Sequence, residues 1–272
     1  MLIQKILDFL LPRYCEMCSQ ILDTDENVLC KRCNAELPRT LMWQKNKKQG
    51  NKYSPDDNVF CEVDNTEEGY VIPDYHYANS DDGDGIFQDN ILARKYWGRV
   101  KIERAVSFLK YYPRTRTADL VYSFKYHNKS YIARYFGRMI GKELLDTGFF
   151  DEIDYLVPTP LTFLREFHRG YNQCRILAEG ISKETGIEIS TCVLKRNNFK
   201  SSQTKLDAIG RQNNIKDVFY LSKKADLYIN KHILLVDDII TTGSTTMECC
   251  QVLQQIRGIK ISVLSLGLVT PF

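Results

Sequence analysis

Long apolar runs are missing from this sequence. No stretch approaches the roughly 20 apolar residues that a membrane-spanning helix requires, so no membrane span is expected. Residues 1–11 carry Lys5 and Asp8 and do not form an apolar segment ahead of a small-residue cleavage site. No secretory leader is therefore predicted, and the expected compartment is the cytoplasm. Histidine is scarce: His76, His127, His168 and His232 stand at no metal-ligand spacing. The Walker pattern G-x₄-G-K-[ST] and the dinucleotide fingerprint G-x-G-x-x-G are both absent, which excludes the commonest nucleotide loops. An RNP-type aromatic motif is absent as well, which argues against the commonest RNA-binding sheet.

What remains is ordinary for a soluble globular chain, with 43% hydrophobic and 26% charged residues. A length of 272 residues suffices for one substantial core and a small satellite module. The net charge of +3 hides an asymmetry. Residues 56–90 hold eleven Asp/Glu and no Lys/Arg, a net −11, against +3 for residues 1–55 and +11 for residues 91–272. A basic body suits a protein that handles small phosphates, and it equally suits one that binds a polynucleotide.

Four of the nine cysteines form two C-x₂-C pairs, Cys15-Glu16-Met17-Cys18 and Cys30-Lys31-Arg32-Cys33, separated by eleven residues. Each pair can wrap two thiolates around one ion, and together they complete a closed tetrahedral site of the structural Zn²⁺ type. The alternatives are redox dithiols or disulfides, the latter disfavoured in a reducing compartment. Lys31 and Arg32 lie between two ligands, placed to offset thiolate charge or to meet phosphate. Cys61 stands alone in the acidic stretch, and Cys174, Cys192, Cys249 and Cys250 fall in or beside apolar segments as small core residues.

Three divisions follow: a cysteine module over 1–43, a polar and acidic insert or linker over 44–91, and a main domain over 92–272. The insert ends in Asp81-Asp82-Gly83-Asp84-Gly85, which lacks the twelve-residue calcium-loop pattern with its closing Glu. In the main domain, strands are predicted over 105–111, 153–157, 233–236 and 261–268. Helices are predicted over 117–126, 132–145, 171–185 and 245–256, the second with Ile132, Phe136, Ile140 and Leu144 on one face. Strands alternating with helices give an α/β fold, a parallel sheet with flanking helices, whose ligands bind at the carboxyl ends of strands.

The segment Ile233-Leu234-Leu235-Val236-Asp237-Asp238-Ile239-Ile240-Thr241-Thr242-Gly243-Ser244-Thr245 is the most informative in the chain. An apolar strand runs into two carboxylates, then into small hydroxyl residues around one glycine. Thr242 or Ser244 is placed to cap the next helix, and Gly243 permits close backbone approach. Backbone N–H groups with the hydroxyls of Thr241, Thr242, Ser244 and Thr245 suit a terminal phosphate without any lysine. Asp237 and Asp238 would repel a bare phosphate but accept hydrogen bonds from two neighbouring sugar hydroxyls.

This segment resembles the phosphoribosyl pyrophosphate (PRPP) motif of type I phosphoribosyltransferases. Over 1–43 and 92–272 the chain resembles the ComF branch of that family, associated with DNA uptake in competent bacteria. The resemblance rests on the four-cysteine module, Val157-Pro158-Thr159-Pro160-Leu161, Arg169-Gly170-Tyr171-Asn172-Gln173 and Phe124-Lys125-Tyr126-His127. It extends to Ser202-Gln203-Thr204-Lys205-Leu206 and Arg211-Gln212-Asn213-Asn214. The insert over 44–91 is longer than the branch leads one to expect, and Lys200 occupies the place of a threonine.

The resemblance implies a type I phosphoribosyltransferase-like fold with a zinc-ribbon-like module. It implies PRPP or a related phosphosugar as ligand, with Mg²⁺ accompanying it. Pyrophosphate would leave from the 157–161 turn through Pro158 and Thr159 as a nitrogen nucleophile attacks. Arg165 and Arg169 would be its cationic partners, with Arg196 or Lys200 from a covering loop; exposed surface charge is the alternative for each arginine. Asp237, Asp238 and Arg169 are the expected catalytic residues. Because the chain begins Met1-Leu2-Ile3, with no N-terminal cysteine nucleophile, a complete glutamine-dependent amidotransferase is not expected. The competing expectation is a non-catalytic factor associated with single-stranded DNA and the DNA-uptake machinery.

Overall fold

A computed structural model describes residues 12–44, 90–126, 128–197 and 218–269. Most of the insert, the motifs at 202–206 and 211–214, Lys200, His127 and Cys61 lie outside the described residues. The central sheet has five parallel strands: β1 (Arg104–Lys110), β2 (Tyr155–Pro158), β3 (Glu188–Ile189), β6 (His232–Ile240) and β7 (Lys260–Leu268), in the order β1-β7-β6-β2-β3. Two further strands, β4 (Leu194–Arg196) and β5 (Phe219–Leu221), form a separate antiparallel pair. The expected parallel sheet with helices on both faces is found, whereas β3, β4 and β5 are additions.

Side chains alternate along the central strands, so each strand supplies two cores. Helix α1 (Lys31–Ala35) belongs to the cysteine module, while Leu156, Leu234, Val236 and Leu264 face one side of the sheet with residues of α2 (Arg116–Tyr126), α3 (Ser130–Leu144) and α5 (Gln173–Thr185). Val157, Ile233, Leu235 and Val263 face the other with α6 (Ser244–Leu253). In α3, the fully buried Ile132, Phe136, Ile140 and Leu144 recur every fourth residue, the stripe that makes a helix amphipathic. Each such side chain taken from water stabilises the fold by roughly 1.5–3 kcal/mol.

Helices α3 and α5 meet at glycines. A Cβ on Gly137 would stand 2.1 Å from the Leu177 carbonyl oxygen, and one on Gly180 would stand 2.4 Å from that of Arg134. Only hydrogen at these two positions lets the backbones approach so closely. The seam is flanked by the Arg134–Glu179 and Arg138–Glu184 ion pairs, at 2.8 and 2.6 Å. The close packing fixes α5, whose first turn carries site residues described below.

The cysteine module is less of a satellite than its sequence suggests. Residues 38–40 cover the outer edge of β1: the Lys110 N–H donates to the Pro38 carbonyl at 2.7 Å, and the Thr40 N–H donates to that of Phe108 at 3.0 Å. Trp43 stacks on Phe108 with ring centroids 5.1 Å apart. The Arg39 guanidinium grips Glu143 through two nitrogens, at 2.8 and 3.0 Å. Leu22, Val28, Leu29 and Leu37 join the core beneath α3. A segment too short to build its own core thus shares one with the body, and an open sheet edge is closed in the same step.

Chain direction across the sheet also locates a crevice. The connections β1→β2 and β2→β3 run one way, and β6→β7 runs the other. Right-handed crossovers then place α2, α3 and α5 on one face and α6 on the opposite face, as observed. The carboxyl ends of β2 and β6 therefore open onto the point where the winding reverses, where folds of this kind bind ligands.

Candidate functional site

The strand expected to end at Val236 continues to Ile240, because β7 pairs with it throughout: Asp237 lies opposite Ser265 and Ile240 opposite Leu268. Asp237 and Asp238 are consequently strand residues. Asp237 points inward and is buried, while Asp238 is partly exposed.

Each carboxylate has a distinct surrounding. Asp238 Oδ2 receives the Lys125 ammonium at 3.0 Å and the Gln173 Nε2 amide at 2.8 Å, while Oδ1 accepts from the Ile239 N–H at 2.5 Å. The one donor to Asp237 Oδ1 among the described side chains is the Cys174 thiol, at 3.4 Å. Burial and the charge of Asp238 push Asp237 up to about 7, as expected for two carboxyl groups sharing a dry site. Burial and both aspartates in turn push the Cys174 thiol far up, so it stays protonated and donates.

The hydroxyl turn follows. Gly243 sits at φ +84° as the N-cap of α6, a left-handed conformation that favours glycine. Gly243, rather than Thr242 or Ser244, is the N-cap residue; the Thr242 hydroxyl accepts from the Ser244 N–H at 3.4 Å and meets the Ser244 hydroxyl at 2.9 Å. Thr241, Thr242, Ser244 and Thr245 are all exposed around the buried Gly243. The turn is pinned from below by Thr246, whose hydroxyl donates to the Gly243 carbonyl at 3.0 Å and meets the Tyr96 hydroxyl at 2.6 Å.

Across the crevice, the turn after β2 is tied to both neighbours. The Thr159 N–H donates to the Val236 carbonyl at 2.9 Å, and the Asn172 Nδ2 amide donates to that of Thr159 at 3.0 Å. Asn172 also caps α5, accepting from the N–H groups of Cys174 and Arg175. That cap explains why Gln173 and Cys174 reach the carboxylates. Thr159 Oγ1 and Gln173 Oε1 are buried without a hydrogen-bond partner among the described residues. Buried polar atoms left this way are costly, and these two stand at the carboxyl end of β2 and the start of α5.

Arg165 and Arg169 lie on α4 (Phe163–Arg169), a short helix that the proline-rich sequence around it concealed. Arg165 is exposed. Arg169 is not directed at the aspartates: its guanidinium lies 5.0 Å above the Tyr126 ring, and its Nη2 donates to the Tyr126 hydroxyl at 3.2 Å. Arg196 packs over Phe219 at 4.9 Å, and burial together with the charge of Arg165 pushes it below its ordinary value. A cleft of about 340 Å³ beside the 158–161 turn is lined by Pro158, Asn172, Arg175, Lys195 and Arg196, but by no residue of 237–245.

The second cluster is the set of cysteines. The Sγ atoms of Cys15, Cys18, Cys30 and Cys33 lie within 4.8 Å of one another. Cys18 and Cys30 are separated by 3.7 Å, close to the ~3.8 Å edge of a tetrahedron with metal–sulfur bonds of about 2.3 Å. All four are free thiols. Backbone N–H groups of Cys30 and Cys33 donate to Cys15 and Cys30 Sγ, both at 3.4 Å. Burial acts to raise Cys15, yet backbone donors outweigh it and bring that thiol down to about 7. Burial and the neighbouring sulfurs push Cys33 up. Four sulfurs at this spacing are capable of holding a metal ion. Lys31 and Arg32 are spent elsewhere, in ion pairs with Asp25 and Glu36 at 3.0 and 2.8 Å.

Lys125, Gln173, Cys174 and Thr246 were not assigned site roles by sequence reasoning. Lys125 and Gln173 both stand inside motifs that carry the family resemblance, but nothing local links either to Asp238.

Known proteins give a consistent setting. No protein-family model matches the chain. Competence protein F of Haemophilus influenzae is 30% identical over 151 residues, covering 54% of this chain and 66% of that protein. DNA utilization protein YhgH of Escherichia coli K12 is 29% identical over 154 residues, covering 56% and 66%. The Salmonella typhimurium protein of the same name is 31% identical over 155 residues, with the same coverage. The chain is homologous to these competence-associated proteins over just under two thirds of their length. A solved structure of the allosteric regulatory enzyme of purine biosynthesis matches 48% of this chain and 25% of its own, at 16% identity and a TM-score of 0.33, a likeness that carries no argument. No helix among the described residues is long and apolar enough to cross a membrane.

Proposed function

We propose that the chain is a cytoplasmic phosphoribosyltransferase-like protein that binds PRPP at the crevice between β2 and β6 and transfers its phosphoribosyl group to a nitrogen acceptor. The observation that carries this reading is the acidic pair at the switch point of the sheet, followed by a hydroxyl-lined turn on a left-handed glycine. The 5-phosphate would rest on the backbone N–H groups and hydroxyls of residues 241–245, at the start of α6. The 2- and 3-hydroxyls of the ribose would donate to Asp237 and Asp238. The buried Thr159 hydroxyl and Gln173 carbonyl would find partners in the same ligand.

In the reaction, the bond from C1 of the ribose to pyrophosphate breaks and a bond from C1 to nitrogen forms. Pyrophosphate leaves with the electron pair, and the nitrogen gives up its proton. Mg²⁺ would be held chiefly by phosphate oxygens of the ligand, where it offsets their charge. The chain positions the sugar and keeps the reacting carbon beside the 158–161 turn, which lowers the barrier mainly through orientation. We further assign Zn²⁺ to the closed four-thiolate cluster, in a structural role. Titration with PRPP and Mg²⁺, followed by pyrophosphate release across a panel of bases and amines, tests the reading. No binding at millimolar PRPP would sink it.

One surface favours a second reading, a factor that handles single-stranded DNA. Tyr122 and Tyr126 are 52% and 54% exposed with ring centroids 4.4 Å apart and planes tilted by 33°, and the Arg169 guanidinium lies over Tyr126. Aromatic and guanidinium planes in series suit unpaired bases. The names of the curated relatives, which speak of competence and DNA utilization, point the same way. A labelled oligothymidylate titrated at low and high salt decides it. Binding that weakens with salt and with Tyr126→Ala is expected, and no binding at low salt would remove the reading.

A further inference from the structure

The Cys174 sulfur and the carboxylate oxygens of Asp237 and Asp238 lie within 4.8 Å of one another. Donors gathered at that spacing are the makings of a cation site. The cation beside them is part of the chain: the Lys125 ammonium, 3.0 Å from Asp238, with both side chains less than one-fifth exposed. Lys125 arrives from the last turn of α2, whose Val121 and Phe124 are fixed in the core. Gln173 and the Ile239 N–H are two further donors to Asp238. Asp237 keeps one thiol donor and has acceptor capacity to spare. Tyr96, Cys249 and Arg196 are also near enough to sense its charge.

We propose that Lys125 is the built-in counter-cation of the acidic pair and its specificity determinant: it keeps divalent metal off the two carboxylates and leaves Asp237 to receive a ligand hydroxyl. A metal ion entering here would have to displace the ammonium and leave it buried without a partner, a strongly unfavourable exchange. A neutral hydroxyl needs no displacement, because it uses lone pairs that Lys125 does not occupy. Lys125 is therefore a positioning residue, acting on the ligand through Asp238. The inference rests on the sugar-phosphate reading for the identity of the hydroxyl. Exclusion of metal can be measured without any sugar.

The test uses the full chain with its thiols pre-saturated by Zn²⁺ and the excess removed. Mn²⁺ is titrated at pH 8 and the free ion is followed by electron paramagnetic resonance. Lys125→Met and Lys125→Gln are each expected to gain one Mn²⁺ site at least about tenfold tighter than any in the wild type, since a unit positive charge has left a buried pair. Lys125→Arg is expected to exclude Mn²⁺ as the wild type does. Adding Asp238→Asn to Lys125→Met is expected to abolish the new site. Wild-type chain that binds Mn²⁺ at a site lost in Asp238→Asn would overturn the proposal, and that measurement needs no folded Lys125 variant. Lys125→Met and Lys125→Gln chains that melt cooperatively yet gain no Mn²⁺ affinity would overturn it as well. No PRPP is present, so failure of the sugar-phosphate reading shows separately in the PRPP titration.

Discussion

Two clusters of acidic ligands in this chain meet the same difficulty in opposite ways. The cysteine cluster gathers four sulfurs, and the two cations in its second loop, Lys31 and Arg32, pair with Asp25 and Glu36. The aspartate cluster gathers two carboxylates and a thiol, and takes its cation from α2 through Lys125. A buried set of like charges needs opposite charge in either case. Where the charge must come from solution, the four sulfurs form a set capable of holding a metal ion. Where the chain supplies it, carboxylate lone pairs remain available to a ligand. That contrast can be broken or sharpened at several points.

The largest effect is expected from Cys33→Ser. Cys33 is buried against the core shared by module and body. Loss of a metal ligand belongs to the class of changes that cost more than about 4 kcal/mol. Metal content should fall from one ion per chain to near zero, and the urea midpoint should drop with it. Trp43, stacked on Phe108, supplies a fluorescence signal from the joint itself. An unchanged midpoint in the metal-free variant would show that the shared core, and not the ion, holds the module.

Asp237→Asn probes the other cluster through pH. The folded value of Asp237, about 7, lies above its ordinary 3.8, so the folded chain holds a proton that the unfolded chain releases. This contribution to stability is complete below about pH 4 and is lost as pH rises through about 7. Relative to the wild type, Asp237→Asn should therefore gain stability as pH rises from about 4 to 7 and keep that gain above 7, by up to about 4 kcal/mol over the whole rise and about 2 kcal/mol between pH 5.5 and 7. PRPP binding, if it uses this carboxylate, should weaken at the same time. A difference in urea midpoint that is flat across this range would mean that Asp237 is ionised throughout, and the asymmetry between the two aspartates would fall.

How much of this was legible in the sequence follows from distance along the chain. The cysteine cluster was readable because its ligands form two local pairs. Helix α3 was readable because Ile132, Phe136, Ile140 and Leu144 repeat at helical spacing. Strand β6 was read four residues short, since two aspartates break the apolar run and only pairing with β7 carries the strand through them. Helix α4 was hidden behind Pro158 and Pro160, with Phe163 and Phe167 exposed on a surface that no core periodicity marks. The partners of Asp238 were the hardest to foresee. Lys125 and Gln173 lie 113 and 65 residues away from it, and tertiary packing alone brings them together.

Gly180→Ala tests whether the first turn of α5 depends on that packing. The added methyl would meet the Arg134 carbonyl oxygen at 2.4 Å and the Arg138 backbone nitrogen at 2.7 Å, so the helices must separate. Overpacking of this kind costs about 1–3 kcal/mol. Because Gln173 and Cys174 ride on the same helix, the pH dependence attributed to Asp237 should also weaken. A loss of stability with that pH dependence intact would mean that the Asn172 cap alone places the first turn.

The smallest effect is expected where the sequence invited a larger one. Lys31 and Arg32 stand between Cys30 and Cys33, and proximity alone suggests that they neutralise a four-thiolate metal site. Both are exposed, and each has a carboxylate partner. Exposed pairs of this kind contribute little and are screened by salt. Lys31→Ala and Arg32→Ala should each shift the thermal midpoint by less than about 2 °C. Metal affinity, measured by competition with a chelator, should stay within about twofold, because screened surface charge acts weakly on a buried ion. A tenfold loss of affinity in either variant would mean that the cysteine cluster, like the aspartate cluster, draws part of its positive charge from the chain, and the contrast between the two sites would become one of degree.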